Sequence, residues 1–303
     1  MRRKLTAAAA LLRNPRYEVI PTNTVEQSVV ECVPKSVTVT VTASPTKGLE
    51  ATLGLAERLA THGYTVVPHV SARLVVDDAH LEEVVARLRS CGIDNIFVPA
   101  GDADPPAGRF DSALSLLVQL TEMGRPFSQV GITGYPESHP NIDDDVTIQA
   151  MWDKRHHATY IVSNLCFDPG TLKRWINRVR QRGVTLPLYV GLAGPVERTK
   201  LLNMATKIGV GESARFLSGH AGWFLRMGAP GGYNPARFLG RIGGALTAPS
   251  SVVAGLHIFT FNQVLQTEEW RQSLLAELPG HDAGPGLAGA ADPRAAGGHR
   301  ELG

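Results

Sequence analysis

The chain is 303 residues long, 43% hydrophobic and 19% charged, with 30 Lys and Arg against 28 Asp and Glu for a formal charge of +2. That length buries a large core in one or two domains. The balanced charge, with no basic run interleaved with aromatics, excludes a dedicated nucleic-acid binder, and no apolar stretch reaches the roughly 20 residues of a membrane span. Cys32, Cys91 and Cys166 stand far apart, which excludes a CxxC motif and a disulfide framework and suits a reducing, cytoplasmic protein.

Residues 1–16 open like a secretory leader, with Arg2, Arg3 and Lys4 followed by Ala7 to Ala10. The apolar run is too short, and Arg13, Asn14, Pro15 and Arg16 interrupt it, so an N-terminal helix or extension is the better reading. From residue 17 on, short β-branched segments alternate with amphipathic ones. Strands are expected at 17–20, 37–42, 65–70, 95–99, 129–133, 160–164, 186–191 and 256–261. Between them, the segments 49–62, 80–89, 110–123 and 172–182 space their apolar residues by three and four, as helices do. Gly124 and Gly183 stand where a helix is closed by a C′ glycine. Strands alternating with helices mean parallel βαβ units. About eight of them over roughly 260 residues match a closed (β/α)8 TIM barrel. A single barrel domain over 17–278 is expected, followed by a Gly-, Ala- and Pro-rich tail, 279–303, too poor in large apolar side chains to order itself.

Barrel chemistry sits at the carboxyl ends of the strands. Those positions hold Glu18, Thr42, His69, Asp102, Tyr135, Glu137, His139, Asn164 and Asp168. Glu18 is an acid inside the otherwise apolar Tyr17-Glu18-Val19-Ile20-Pro21. Burial raises a carboxyl's pKa and keeps it protonated near neutrality, the state a general acid needs; the bland reading is a core ion pair with an arginine. Asp102 follows Gly101, where a glycine lets backbone approach a ligand and the carboxylate can accept two hydrogen bonds from an amidine-like edge; the bland reading is an N-cap. His69 suits a ligand, a base or a satisfied core histidine. His156 and His157, adjacent in a helical stretch, do not share a face, and the first strand has no HxH pair, so no metal site is expected.

Seven segments in register resemble the methylenetetrahydrofolate reductase family. These are Tyr17-Glu18-Val19-Ile20-Pro21, Val39-Thr40-Val41-Thr42, Pro68-His69, Gly101-Asp102, Gly134-Tyr135-Pro136-Glu137-Ser138-His139-Pro140, Asn164 with Phe167-Asp168, and Phe259-Thr260-Phe261-Asn262. The resemblance implies reduction of 5,10-methylenetetrahydrofolate to 5-methyltetrahydrofolate. It places Glu18 as the acid, Asp102 and Asn164 on the pterin, and Gln263 toward the folate tail, where the family has Arg. Thr42, His69, Tyr135 and His139 fall on the cofactor side.

Departures accompany the matches. The family carries flavin, held partly by an Arg before the Gly-Asp pair; here that position is Ala100. Asp153 stands where a Lys is expected, or Lys154 if the register slips by one. Asp143 to Asp145 precede that helix, and an aromatic after strand seven is replaced by Ala205. The expectation is a reductase without FAD, passing hydride directly from NADH, with NADPH also open, on a small-molecule folate. It would be a monomer or small homo-oligomer binding neither nucleic acid nor membrane. A flavin-dependent reductase, a non-catalytic folate-binding barrel and an unrelated barrel hydrolase are the alternatives.

Overall fold

The computed structural model describes residues 9–43, 46–137, 144–196 and 234–277. The expected tail at 279–303 lies outside them, as do His139, Asp143 and Ala205. Residues 9–13 are helical. The strands are β1 (Arg16–Val19), β2 (Thr38–Val41), β3 (Val66–Pro68), β4 (Asn95–Phe97), β5 (Gln129–Gly134), β6 (Tyr160–Ser163), β7 (Leu188–Ala193) and β8 (Val253–Phe259). The helices that follow them are α1 (Val25–Cys32), α2 (Gly48–Thr61), α3 (Asp78–Ser90), α4 (Ala113–Glu122), α5 (Asp144–Lys154), α6 (Pro169–Gln181), α7 (Pro235–Thr247) and α8 (Val264–Ala276).

All strand pairs are parallel, in the order β3-β2-β1-β8-β7-β6-β5-β4. A bridge between His69 and Phe97 joins the two ends, with Val70 N donating to Phe97 O at 2.8 Å. This is the expected (β/α)8 barrel. Every expected strand is present, with no end moved by more than three residues; β8 starts earlier because Val253 to Gly255 pair with β7.

Strand register sorts the side chains. Tyr17 points outward, where its hydroxyl donates to Glu268 Oε2 on α8 at 2.7 Å. Its neighbours Arg16 and Glu18 therefore face the barrel axis, because successive strand side chains alternate. In-register partners face the same way, so Thr38 and Thr40 of β2 and His257 and Phe259 of β8 join them inside. Interior space is set by glycines opposite large rings. A Cβ on Gly131 would lie 2.3 Å from the Tyr160 ring, and one on Gly255 would lie 2.7 Å from the Tyr189 ring. Tyr160 and Tyr189 thus fill the amino end of the barrel, while Val67, Phe97 and Val162 pack beside them.

Behind β1, Glu268 is paired with Arg271 at 2.7 Å, and Arg271 Nη1 donates to the carbonyls of Leu12 and Arg13. This buried network fastens the N-terminal helix to α8 and fixes where β1 begins. Burial, with Glu268 beside it, pushes the Tyr17 hydroxyl far above its ordinary range, so it stays a donor.

Candidate active site

Glu18 lies near the carboxyl end of β1, and two buried histidines from neighbouring strands converge on it. His257 Nε2 of β8 donates to Glu18 Oε2 at 2.9 Å, and His69 Nε2, just past β3, is 3.7 Å from the same oxygen. His69 and His257 are 5% and 2% exposed. His69 leans on the Phe97 ring at 4.6 Å and His257 on the Phe259 ring at 4.8 Å, so both imidazoles are held by aromatics.

The expected raised pKa of Glu18 is corrected by this arrangement. Burial alone would push the carboxyl up. The hydrogen bond from His257 and the nearness of both rings outweigh it and hold the carboxyl below its ordinary value. The partner is histidine rather than the arginine of the bland reading. His69 is itself pushed down to about 4, chiefly by burial and against the pull of Glu18, so it is neutral at pH 7. With His257 Nδ1 buried and unpartnered, the tautomer that satisfies the pair carries its proton on Nε2. Glu18 Oε1 makes no hydrogen bond among the described residues and is not sealed from solvent. One carboxyl oxygen is therefore fixed and the other faces the cleft.

Other expected site residues fall around this mouth. Tyr135, after β5, is hydrogen-bonded with Thr133 and close enough to Asp102 to feel its charge; burial and that charge raise its pKa. Asp102 is exposed and caps no helix, since Ser112 caps α4. Gly101 has φ +89°, and a Cβ there would meet Ser71 Oγ at 1.7 Å. The close approach that demands glycine is thus to Ser71 rather than to a ligand. Asn164, after β6, accepts at Oδ1 from Leu165 N at 2.8 Å. Thr42 is half-buried, with its carbonyl accepting from Thr52 Oγ1 at 3.0 Å. Gln263, at the start of α8, has a buried Oε1 without a partner.

Glu137 and Asp168, from the strand-end positions, and Asn262, from the last matched segment, make hydrogen bonds that hold the loops. Glu137 Oε1 accepts from Phe167 N at 2.7 Å and Asp168 N at 3.1 Å, tying the loop after β5 to the loop after β6. Asp168 caps α6 by accepting from Gly170 N at 2.8 Å. Asn262 clamps the exit of β1, accepting from Ile20 N at 2.8 Å and donating to Ile20 O at 2.9 Å. Phe261 and Asn262 both take left-handed backbone, φ 50° and 57°, and the clamp holds that turn. It brings Phe261 to Leu165, Phe167, Ala193 and Phe259, an apolar wall at the mouth.

Sequence reasoning missed His257, Phe259 and Phe261 as site residues. The signal was available, since a histidine interrupts the apolar Leu256-His257-Ile258-Phe259 and alternation puts it on the face shared with Phe259.

Among the described residues, three near the mouth bear on how a flavin diphosphate could be held. Ala100 is apolar, and Arg73, in the loop after β3, donates to Ala103 O at 2.6 Å and Asp111 O at 3.1 Å. Lys47 donates to Pro21 O at 2.6 Å. Two of the acids noted above have these surroundings. Asp145 is offset by Arg182 at 3.3 Å. Asp153 sits in the last turn of α5, beside the ends of α4 and α6: His157 Nδ1 is 2.7 Å from Thr121 Oγ1, and a Cβ on Gly183 would meet Trp152 at 3.0 Å. That is the amino end of the strands, away from Glu18. Among the described residues no group of three or more His, Cys, Asp or Glu is placed to hold a metal ion, and no helix is long and apolar enough to cross a membrane.

Residues 15–212 match the family model described as methylenetetrahydrofolate reductase. A maize protein named methylenetetrahydrofolate reductase (NADH) 1 is 25% identical over 132 residues, 37% of this chain and 22% of that protein. An Arabidopsis thaliana protein of the same name is 25% identical over 146 residues, 41% of this chain and 24% of its own. The matched stretch thus spans about a quarter of the length of these curated relatives.

Proposed function

Because the chain belongs to the methylenetetrahydrofolate reductase family, we propose that it reduces 5,10-methylenetetrahydrofolate to 5-methyltetrahydrofolate, with NADH giving its hydride directly to the folate and Glu18 as general acid. The observation that carries this reading is the Glu18 carboxyl held at the cleft with one oxygen fixed by His257 and the other free.

The chemistry divides into two steps. The bridging methylene carbon breaks its bond to one nitrogen, which leaves with its electron pair and takes a proton from Glu18. The other nitrogen becomes an iminium. Hydride from the dihydronicotinamide then adds to the iminium carbon, giving the methyl group and NAD+. Solvent returns a proton to Glu18, so the net reaction consumes one NADH and one proton.

The free carboxyl sits below its ordinary range, whereas ring opening needs the acid form. A flat pterin over the cleft removes water from Oε1 and disfavours the charge, while Oε2 keeps the His257 bond. The proton is then on Oε1, the oxygen facing the leaving nitrogen. Asp102 and the amide of Asn164 hold the pterin edge, Gln263 reaches toward the tail, and the wall of Phe167, Phe259 and Phe261 gives the rings an apolar face.

Thr42, His69 and Tyr135 border the space for the nicotinamide, with His139 assigned there by resemblance. The NADH in the relatives' names supports that nucleotide. Ala100, where the family has an Arg on the flavin, supports transfer without a flavin. The test is a spectrum and assay of the purified full chain. NADH oxidation dependent on methylenetetrahydrofolate, without flavin absorbance and without stimulation by FAD, supports the reading. A stoichiometric flavin chromophore overturns direct transfer, and no folate-dependent oxidation overturns the activity.

A further inference from the structure

At the opposite end of the barrel from Glu18, a cavity of about 690 Å³ opens between the amino ends of the strands. Its lining is mostly polar and includes Asn14, Thr38, Asn95, Ser128 and Gln129, with Arg16 and Tyr189 at its inner end. Arg16 is 5% exposed. Its guanidinium carbon lies 3.6 Å from the centre of the Tyr189 ring and 4.3 Å from that of Tyr160. Its Nη1 has no hydrogen-bond partner.

A buried charge is ordinarily paired. Here the surroundings supply ring faces and neutral dipoles, the hydrogen-bonded Tyr160 hydroxyl among them, but no anion. Tyr160 OH donates to Asn95 Oδ1 at 2.8 Å, and Asn95 Nδ2 donates to Gln129 Oε1 at 2.9 Å, so these groups are occupied with one another. Asp94 also lines the cavity, but its carboxylate is bound by Arg89 and accepts from Ser128 N at 3.1 Å. No described carboxylate forms an ion pair with Arg16. The fold has also made room for this arrangement, because Gly131 and Gly255 are the residues that allow the two tyrosine rings to flank the cation.

We infer that this cavity is a binding site for a small oxyanion, a carboxylate or a phosphate, which supplies the missing counter-charge to Arg16. One guanidinium without a counter-charge calls for one charged headgroup, and Asn14 and Thr38 of the lining offer further hydrogen bonds to its oxygens. The site is independent of the folate reading, since neither Glu18 nor any residue assigned to the folate lines it.

The test is thermal unfolding of the full chain against inorganic phosphate and against acetate at constant ionic strength, for wild type, Thr38→Asp and Arg16→Met. Thr38 is the β2 register partner of Arg16 and lines the cavity, so an aspartate there supplies the anion from within. In wild type, at least one of the two anions should raise the midpoint saturably, by about 2–4 °C at ten times its dissociation constant. Thr38→Asp should melt higher than wild type in anion-free buffer and show no saturable rise. Phosphate also stabilises proteins generally by exclusion from their surface; a non-saturating rise of equal size in wild type and Thr38→Asp is that effect alone and overturns the site. So does a Thr38→Asp protein that melts below wild type. If Arg16→Met fails to fold, the Thr38→Asp comparison decides the question.

Discussion

Glu18 and His257 meet across the seam between the first strand and the last, with Glu18 Oε2 2.9 Å from His257 Nε2. The two are 239 residues apart in the chain, and only closure of the barrel brings them together. The bond divides the carboxyl into a fixed oxygen and a working one.

Glu18→Gln keeps the shape of the side chain and removes its ability to deliver a proton. Steady-state assays should show turnover lowered by about 10²–10⁴-fold, the usual contribution of general acid catalysis, with an unfolding midpoint close to wild type. Turnover within about threefold of wild type rejects the assignment.

Removing His257 separates positioning from chemistry. In His257→Phe the donor to Oε2 is gone and burial acts on Glu18 against His69 alone, so the carboxyl pKa rises. Activity that requires the acid form should persist to higher pH than in wild type, seen as an upward move of the basic limb of the kcat/KM profile. A role confined to packing would lower the rate and leave that limb where it was.

The neutral, buried His69 gives stability a pH dependence. Its folded pKa of about 4 lies below the ordinary 6.5, so the unfolded chain binds the extra proton first. Stability is therefore full above pH 6.5 and falls as pH drops from 6.5 toward 4, by on the order of 3 kcal/mol from this residue. The depressed Glu18 carboxyl adds a loss of the same sign at lower pH. Urea unfolding of His69→Gln should show a flatter slope between pH 6.5 and 4; an unchanged slope would assign the dependence to other groups.

Much of this was legible in the chain itself. The alternation of β-branched and amphipathic segments announces eight βα units, and an acid in Tyr17-Glu18-Val19 marks the first strand as chemical. The environment of Glu18 was not legible, because its partners come from β3 and β8 and only the closed register shows them. Nor were the loop contacts of some motif residues legible. Glu137, Asp168 and Asn262 sit at strand ends, yet their side chains satisfy backbone N–H groups of neighbouring loops. That Asp153 lies at the amino end of the strands follows only from the direction of its helix.

Recognition of the pterin is checked by calorimetry on Asp102→Ala and Asn164→Ala. Loss of a charged hydrogen-bond partner costs about 1.5–3 kcal/mol, so Asp102→Ala should bind folate roughly 10-fold or more weakly. Asn164→Ala, which removes a neutral donor, should lose less. Unchanged affinity in both variants would place the pterin elsewhere.

Direct hydride transfer from NADH to folate is tested most directly by initial rates measured with both substrates varied. A flavin relay lets the oxidised nucleotide leave before folate enters, whereas direct transfer requires both substrates in the barrel mouth together. Double-reciprocal lines should therefore intersect, and added FAD should leave the rate unchanged. Parallel lines, with a rate that rises on addition of FAD, would contradict direct transfer and return the hydride to a flavin.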